Sequence, residues 1–309
     1  MTRPRPKVAL IICGSYPNIK PDQIASWVKS LSELNIVAEV KPFLIFQKSS
    51  TNVESQNWLE LFQIIKKNAG NFVGFVVLHD FDNIVYTAAA LSFLTLGLNK
   101  PIVLTSGQTA KDQSQFESRA NLINAIQSAS VKINEVCLMF GNKLIRGSQA
   151  QFSQIEAFNK FDAPLEAIFG RVDFGVRIFK KLLIKKANGI FKPSLNQNIL
   201  TIHLQPDLDY QTIAQVIDQK QGIVINAKHH QHLPEKLITI LTKNQNLPVV
   251  ICWSQKNENE QLAKIKNFIS VDQLTWPTAV VKTMWALAQT KNIKKVKDLM
   301  ATNIAGEIL

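Results

Sequence analysis

Little in this chain would staple or anchor it. Its three cysteines, Cys13, Cys137 and Cys252, stand far apart in apolar, strand-like runs. An odd count at that spacing argues against a disulfide framework or a zinc site, so buried free thiols in a reducing cytoplasm are expected. No apolar run approaches the ~18 residues that a membrane helix needs. The basic start, residues 1–7, precedes only a short apolar stretch and carries two prolines. It reads as the approach to a first buried strand, not as a secretory signal. Positive charge is plentiful but unfocused. The net charge is +12, yet the lysines scatter, with the tightest groups at Lys180-Lys181, Lys185-Lys186 and Lys291-Lys294-Lys295-Lys297. No arginine-rich arm or aromatic ladder goes with them, so a solvated basic surface is expected and nucleic acid is not. Internal repeats and low-complexity segments are also missing.

What is present is the makeup of a folded two-domain protein. With 309 residues, 46% hydrophobic and 19% charged, the chain is long enough for two ordinary cores. Strand-like and helix-like patterns alternate. Residues 8–13 form a continuous apolar run, as in a strand buried on both faces. Residues 22–34 carry Ile24, Trp27, Val28 and Leu31 at helical spacing after Pro21. Strands are then predicted at 37–46, 72–78 and 102–104, and helices at 54–65, 84–96 and 117–129. Such alternation implies a parallel sheet with helices on both faces. Gly141-Asn142, between the apolar runs 136–140 and 143–146, is a two-residue hairpin signal. A polar, basic stretch with Gly189 and Pro193 suggests a linker. The predicted organisation is an N-terminal α/β domain over 1–180, a linker over 181–197 and a smaller C-terminal α/β domain over 198–309. The second domain is predicted to have strands at 199–204, 222–225 and 249–253, and helices at 210–218, 234–242, 277–288 and 293–301.

Several segments together carry a resemblance. They are Gly74 to Asp82 (Gly-Phe-Val-Val-Leu-His-Asp-Phe-Asp), Tyr86 to Phe93, Lys100 to Thr105, Arg119 to Ala125, Phe140 to Gly147, Ala157 to Pro164, Leu274 to Ala279 with Met284-Trp285, and Asn303 to Ile308. In this order they resemble the bacterial type I L-asparaginases, threonine amidohydrolases that convert asparagine to aspartate and ammonia. One subunit of the archaeal tRNA amidotransferase shares that fold but has an extra N-terminal domain, which is not expected here. The resemblance implies the two-domain asparaginase-like α/β fold, a homodimer or homotetramer, an amino-acid-like ligand and no cofactor.

The same resemblance places this chain's residues on the family's chemical positions, and most of them differ. Ile12-Cys13-Gly14-Ser15 stands where the family has Thr-Gly-Gly-Thr, which puts Ser15 on the nucleophile and Gly14 beside the substrate. A hydroxyl at its own pKa is a weak nucleophile and needs an adjacent base; Ser15 also suits the approach to a helix. Tyr16 follows at once, and residues 16–20 lead almost directly into the helix, so most of the family's lid is missing. Leu78-His79-Asp80-Phe81-Asp82-Asn83 stands for Thr-His-Gly-Thr-Asp-Thr. Phe81 thereby replaces the second catalytic threonine, and Asp82 keeps the aspartate that binds the substrate ammonium. Asp80 brings bulk and charge to a glycine position; with Asp82 it forms either an acid–base pair or two solvated carboxylates. Phe152 stands on the catalytic lysine, and two rings in place of threonine and lysine are expected to fill the emptied polar pocket. Ser50 and Thr51, before Trp58, match the segment that holds an α-carboxylate, or form a polar turn. His229-His230-Gln231-His232 has the residue type for a metal but no completing ligand at useful spacing. A catalytically impaired family member is therefore expected, with a working amidohydrolase built on Ser15 as the alternative.

Overall fold

The computed structural model describes residues 4–15, 20–46, 52–106, 115–153, 160–184, 189–244, 246–255, 262 and 265–309. The chain divides into two compact units, Met1–Lys186 and Ala187–Leu309.

The first unit begins with β1 (Lys7–Cys13) and the short helices α1 (Ile24–Ser30) and α2 (Ser32–Val37). It continues through β2 (Glu39–Phe46), α3 (Ser55–Asn68), β3 (Gly74–His79), α4 (Ile84–Leu94), β4 (Ile102–Ser106) and α5 (Gln115–Ala129). Then come β5 (Val136–Phe140), β6 (Lys143–Arg146), β7 (Gln151–Phe152), β8 (Phe161–Asp162), β9 (Ile168–Val172) and β10 (Val176–Ile178). Eight of its ten described strands form one sheet in the order β10-β9-β6-β5-β4-β3-β1-β2, and β7 and β8 pair as a separate two-stranded sheet. The five strands from β2 to β5 pair in parallel, while β6, β9 and β10 are added antiparallel. β1 shows why residues 8–13 are apolar at every step. Ala9, Ile11 and Cys13 enter the core on one face, and Val8, Leu10 and Ile12 enter the core on the other. A parallel strand covered on both sides has no position to leave polar.

The hairpin signal corresponds to a real turn: Phe140 pairs with Lys143 across it, and Gly141 takes φ +59°, a left-handed conformation that glycine adopts without strain. Asn121 on α5 accepts the Gly141 N–H at 2.9 Å. One predicted element differs. The helix expected over 22–34 is broken at Leu31 (φ −84°, ψ 79°) into α1 and α2. Ser30 and Ser32 flank the break, and the Ser30 hydroxyl donates to the Trp27 carbonyl; serines compete in this way for helix backbone groups.

The end of the first unit is held by a buried ion pair. Arg146 Nε lies 2.8 Å from Glu135 Oε2. The arginine also donates to the Leu182 carbonyl, and Glu135 accepts the Ile184 N–H. The start of the stretch predicted as linker is therefore tied to β5 and β6.

The second unit contains β11 (Ile199–His203), α6 (Tyr210–Val216), β12 (Gly222–Asn226), α7 (Glu235–Lys243), β13 (Val249–Cys252), β14 (Phe268–Val271), α8 (Trp276–Gln289) and α9 (Ile293–Ala301). Its sheet runs β11-β12-β13-β14, parallel throughout. β14 has no counterpart among the predicted strands: only Ile269 and Val271 of its four residues are buried, so it lacks the unbroken apolar run that marks the equally short β13. Among the described residues, no helix is long and apolar enough to cross a membrane.

Candidate functional site

β1 and β3 lie side by side in parallel, with Cys13 opposite His79. Parallel neighbours deliver their following loops to the same sheet edge, where ligands of open α/β sheets bind. Gly14-Ser15 and Asp80-Phe81-Asp82 therefore meet there although 65 residues separate Ser15 from Asp80.

Asp80 is buried and turns toward Ser15. Its carboxylate accepts the Ser15 N–H at 2.9 and 3.0 Å and the Ser15 hydroxyl at 3.0 and 3.1 Å. Gly14 makes this possible: a Cβ there would lie 2.6 Å from Asp80 Oδ1. Asp82 is exposed. Of the two arrangements expected for Asp80 and Asp82, neither describes Asp80, which binds the serine across the strand pair. The two acids pair on paper because they are neighbours in the chain; the adjacency of β1 and β3 is the signal that points to Ser15.

Directly beneath, a chain of hydrogen bonds fixes His79. Trp58 Nε1 on α3 donates to Thr87 Oγ1 on α4 at 3.0 Å. Thr87 Oγ1 lies 3.0 Å from His79 Nε2, and His79 Nδ1 lies 2.7 Å from the Asp80 carbonyl oxygen. A carbonyl can only accept, so Nδ1 carries the proton and Nε2 accepts the Thr87 hydroxyl. Nothing in the sequence marks Trp58 and Thr87 as supports of His79, since helical spacing already accounts for Trp58 as core. Burial holds the imidazole below its ordinary pKa, against the opposing pull of the Asp80 carbonyl and of the Asp80 and Asp82 charges. The unfolded chain, by contrast, protonates it near ~6.5. Its contribution is thus fully present above that pH and is lost as pH falls below it. Urea midpoints are expected to drop between pH 7.5 and 5.0, with a smaller drop in His79→Gln; equal drops in both proteins would contradict this.

Beside this loop the phenylalanines gather. The ring centroid of Phe81 is 5.1 Å from that of Phe152 and 5.0 Å from that of Phe161, and Phe152 and Phe161 are 5.6 Å apart. Phe140 joins edge-on to Phe161 at 4.9 Å. β7 and β8 set the arrangement by pairing Phe152 with Phe161. Rings at such distances attract beyond their area burial. Phe161 is the hub, a role that its place in the run from Ala157 to Pro164 does not disclose.

Some expected residues give no geometry. Tyr16, Ser50 and Thr51 lie outside the described residues. His229, His230 and His232 are exposed, and among the described residues no group of three or more His, Cys, Asp or Glu side chains could hold a metal ion. The three cysteines are free and buried. Burial raises all three thiols, Cys252 to about 11, so none is an activated nucleophile.

Similarity to known proteins gives the family and the fold. The chain is 27% identical over 320 residues to a glutamyl-tRNA(Gln) amidotransferase subunit of Pyrococcus abyssi, covering 95% of this chain and 72% of that protein. The same subunit of Pyrococcus furiosus is 28% identical over 319 residues, with the same coverage. In fold, the chain superposes on the thermostable L-asparaginase of Thermococcus kodakarensis with a TM-score of 0.83 at 21% identity, covering 98% of this chain and 99% of that one. L-asparaginase I of Vibrio cholerae gives 0.83 at 23% identity, covering 99% of each. Residues 14–183 match the family model described as the N-terminal domain of asparaginase. With more than half its length matched, and both strand-end loops of the site inside that match, the chain belongs to the asparaginase family.

Proposed function

We propose that this protein is a catalytically inactive asparaginase-family member that keeps the scaffold as a binding module for a small amino-acid-like ligand or a partner. The observation that carries the reading is the seating of Asp80. Its carboxylate takes up both the N–H and the hydroxyl of Ser15, so neither is directed at an incoming amide. Attack on an amide builds an oxyanion, which needs preorganised donors; a carboxylate beside it acts in the opposite sense. The aromatic cluster supports the same reading. Phe81 and Phe152 pack on each other, and neither ring can donate or accept the protons that hydrolysis moves. Asp82, exposed at the same edge, is left as the carboxylate available to a ligand ammonium group.

The hydrogen bond from Ser15 Oγ to Asp80 at 3.0 Å favours one second reading, in which Asp80 is the base of a serine amidohydrolase that turns L-asparagine and water into L-aspartate and ammonia. Ammonia release by the purified protein, supplied with L-asparagine, separates the two. We expect none above the buffer. Turnover at an ordinary ~1–10³ s⁻¹, lost in both Ser15→Ala and Asp80→Asn, would overturn inactivity and establish the second reading. The protein is further proposed to act in the cytoplasm as a homodimer or homotetramer. Free buried thiols suit a reducing compartment, and light scattering giving a monomer of 34.7 kDa at micromolar concentration would refute the assembly.

A further inference from the structure

At one edge of the large sheet, Lys143 on β6 is directly opposite Arg171 on β9, and Arg171 is directly opposite Arg177 on β10. Directly paired residues share a face, with Cβ atoms ~4.5–5.5 Å apart. The neighbouring row, Leu144, Gly170 and Ile178, turns inward: a Cβ on Gly170 would touch both Leu144 and Ile178. The cationic row faces the other way, with Arg171 and Arg177 exposed and Lys143 half-buried.

Two of the chain's six arginines are thus set against each other with a lysine in line. Like charges directly opposite in a sheet destabilise it, and the ion pairs among the described residues, such as Arg146 with Glu135 and Lys7 with Glu39, lie elsewhere. Asp173, the acid beside the row, accepts a hydrogen bond from Asn142. Phe174, at the tip of the β9–β10 turn, is fully exposed, and Lys180 and Lys181, both exposed, follow β10 closely.

We propose that this edge binds single-stranded nucleic acid, with phosphates along Lys143, Arg171 and Arg177 and an unstacked base on Phe174. The cations form a line at strand spacing, which matches a chain of phosphates better than a flat anionic surface. A free aromatic face beside them takes a base only from a strand that is not paired. The inference is independent of whether the amide site works. It also revises the expectation drawn from charge scatter, because Lys143, Arg171 and Arg177 are spread through the sequence and aligned only by the register of three strands.

The test uses fluorescein-labelled 20-nucleotide single-stranded RNA and DNA with the full chain, followed by anisotropy at several salt concentrations. Three phosphate contacts predict a salt slope of about −2, or roughly 16-fold weaker binding between 50 and 200 mM salt. Arg171→Glu is expected to weaken binding at least tenfold and to make the slope shallower by about 1. It should also leave Tm at or above that of the unmodified chain, because the new carboxylate would sit between two cations; the variant thereby reports on its own folding. Phe174→Ala should cost about tenfold with the slope unchanged. The double change Lys294→Glu with Lys295→Glu, at exposed positions of α9, should cost less than threefold. Binding unaffected by Arg171→Glu, an equal loss from the α9 control, or binding to phosphatidylserine vesicles with none to either oligonucleotide would each overturn the proposal. Equal binding of RNA and DNA supports phosphate as the feature read; preference for RNA supports an added contact to the 2′-hydroxyl.

Discussion

Glu307→Ala is expected to destabilise the second unit by about 3–5 kcal/mol, the usual cost of leaving one member of a buried ion pair without its partner. Lys282 sits on α8 with Nζ 2.6 Å from Glu307 Oε1, and both side chains are fully buried. The lysine also donates to the Met300 and Thr302 carbonyls at 2.9 and 2.7 Å, and Glu307 accepts the Ile304 and Ala305 N–H groups. The pair thus ties the end of α9 and the last residues to the middle of α8. Burial lowers the Lys282 pKa, and the Glu307 charge opposes that shift. Without the glutamate, the ammonium must either stay charged in an apolar site or give up its proton, and both lose stability. A domain with about 5–15 kcal/mol in total has little margin for such a loss. Lys282→Met combined with Glu307→Ala should recover much of it, since that double change leaves no buried charge unmatched. Urea unfolding of the two variants and the unmodified chain measures this. A single-variant loss under 1 kcal/mol, or a double variant no better than Glu307→Ala alone, would show that the pair is not what holds the terminus.

Some of these features are legible in the sequence, and others are hidden for identifiable reasons. β1, β3 and β4 are readable because a strand buried on both faces must be apolar at nearly every position. The β5–β6 turn is readable because Gly141 is one of few residues that take its left-handed conformation easily. The break at Leu31 is hidden because the buried stripe of Ile24, Val28, Leu31 and Leu34 keeps helical spacing across it. β14 is hidden because only two of its residues are buried. At the site, the contact between Phe81 and Phe152 is legible only through the resemblance, which implies that both stand in one pocket. The bond between Ser15 and Asp80 does not, because it depends on which strands are neighbours. Nothing local marks Asp80 as the serine's partner, just as nothing local sets Arg171 opposite Arg177.

The reach of the aromatic cluster sets the last expectation: neither Phe81→Thr nor Phe152→Lys alone will give a protein that hydrolyses asparagine. Phe81 touches two rings and Phe161 is shared by three, so removing the Phe81 ring opens a gap in a packed group. Large-to-small changes of that kind cost about 3–5 kcal/mol, somewhat less here because Phe81 is only half-buried. Phe152→Lys removes a ring that packs on Phe81 and Phe161 and puts a flexible ammonium at a half-buried position, so ring–ring contact is lost there too. On the rate side, each missing proton-transfer group is worth ~10²–10⁴-fold. Groups that act as a unit do not recover one at a time, and in either variant Asp80 would still hold Ser15 by its N–H and hydroxyl. Both variants should therefore melt at lower temperature than the unmodified chain and release ammonia at the background rate. A single variant turning over asparagine at ~1 s⁻¹ or faster would mean that Ser15 is already poised for attack, and that the ring at that position was the whole obstacle.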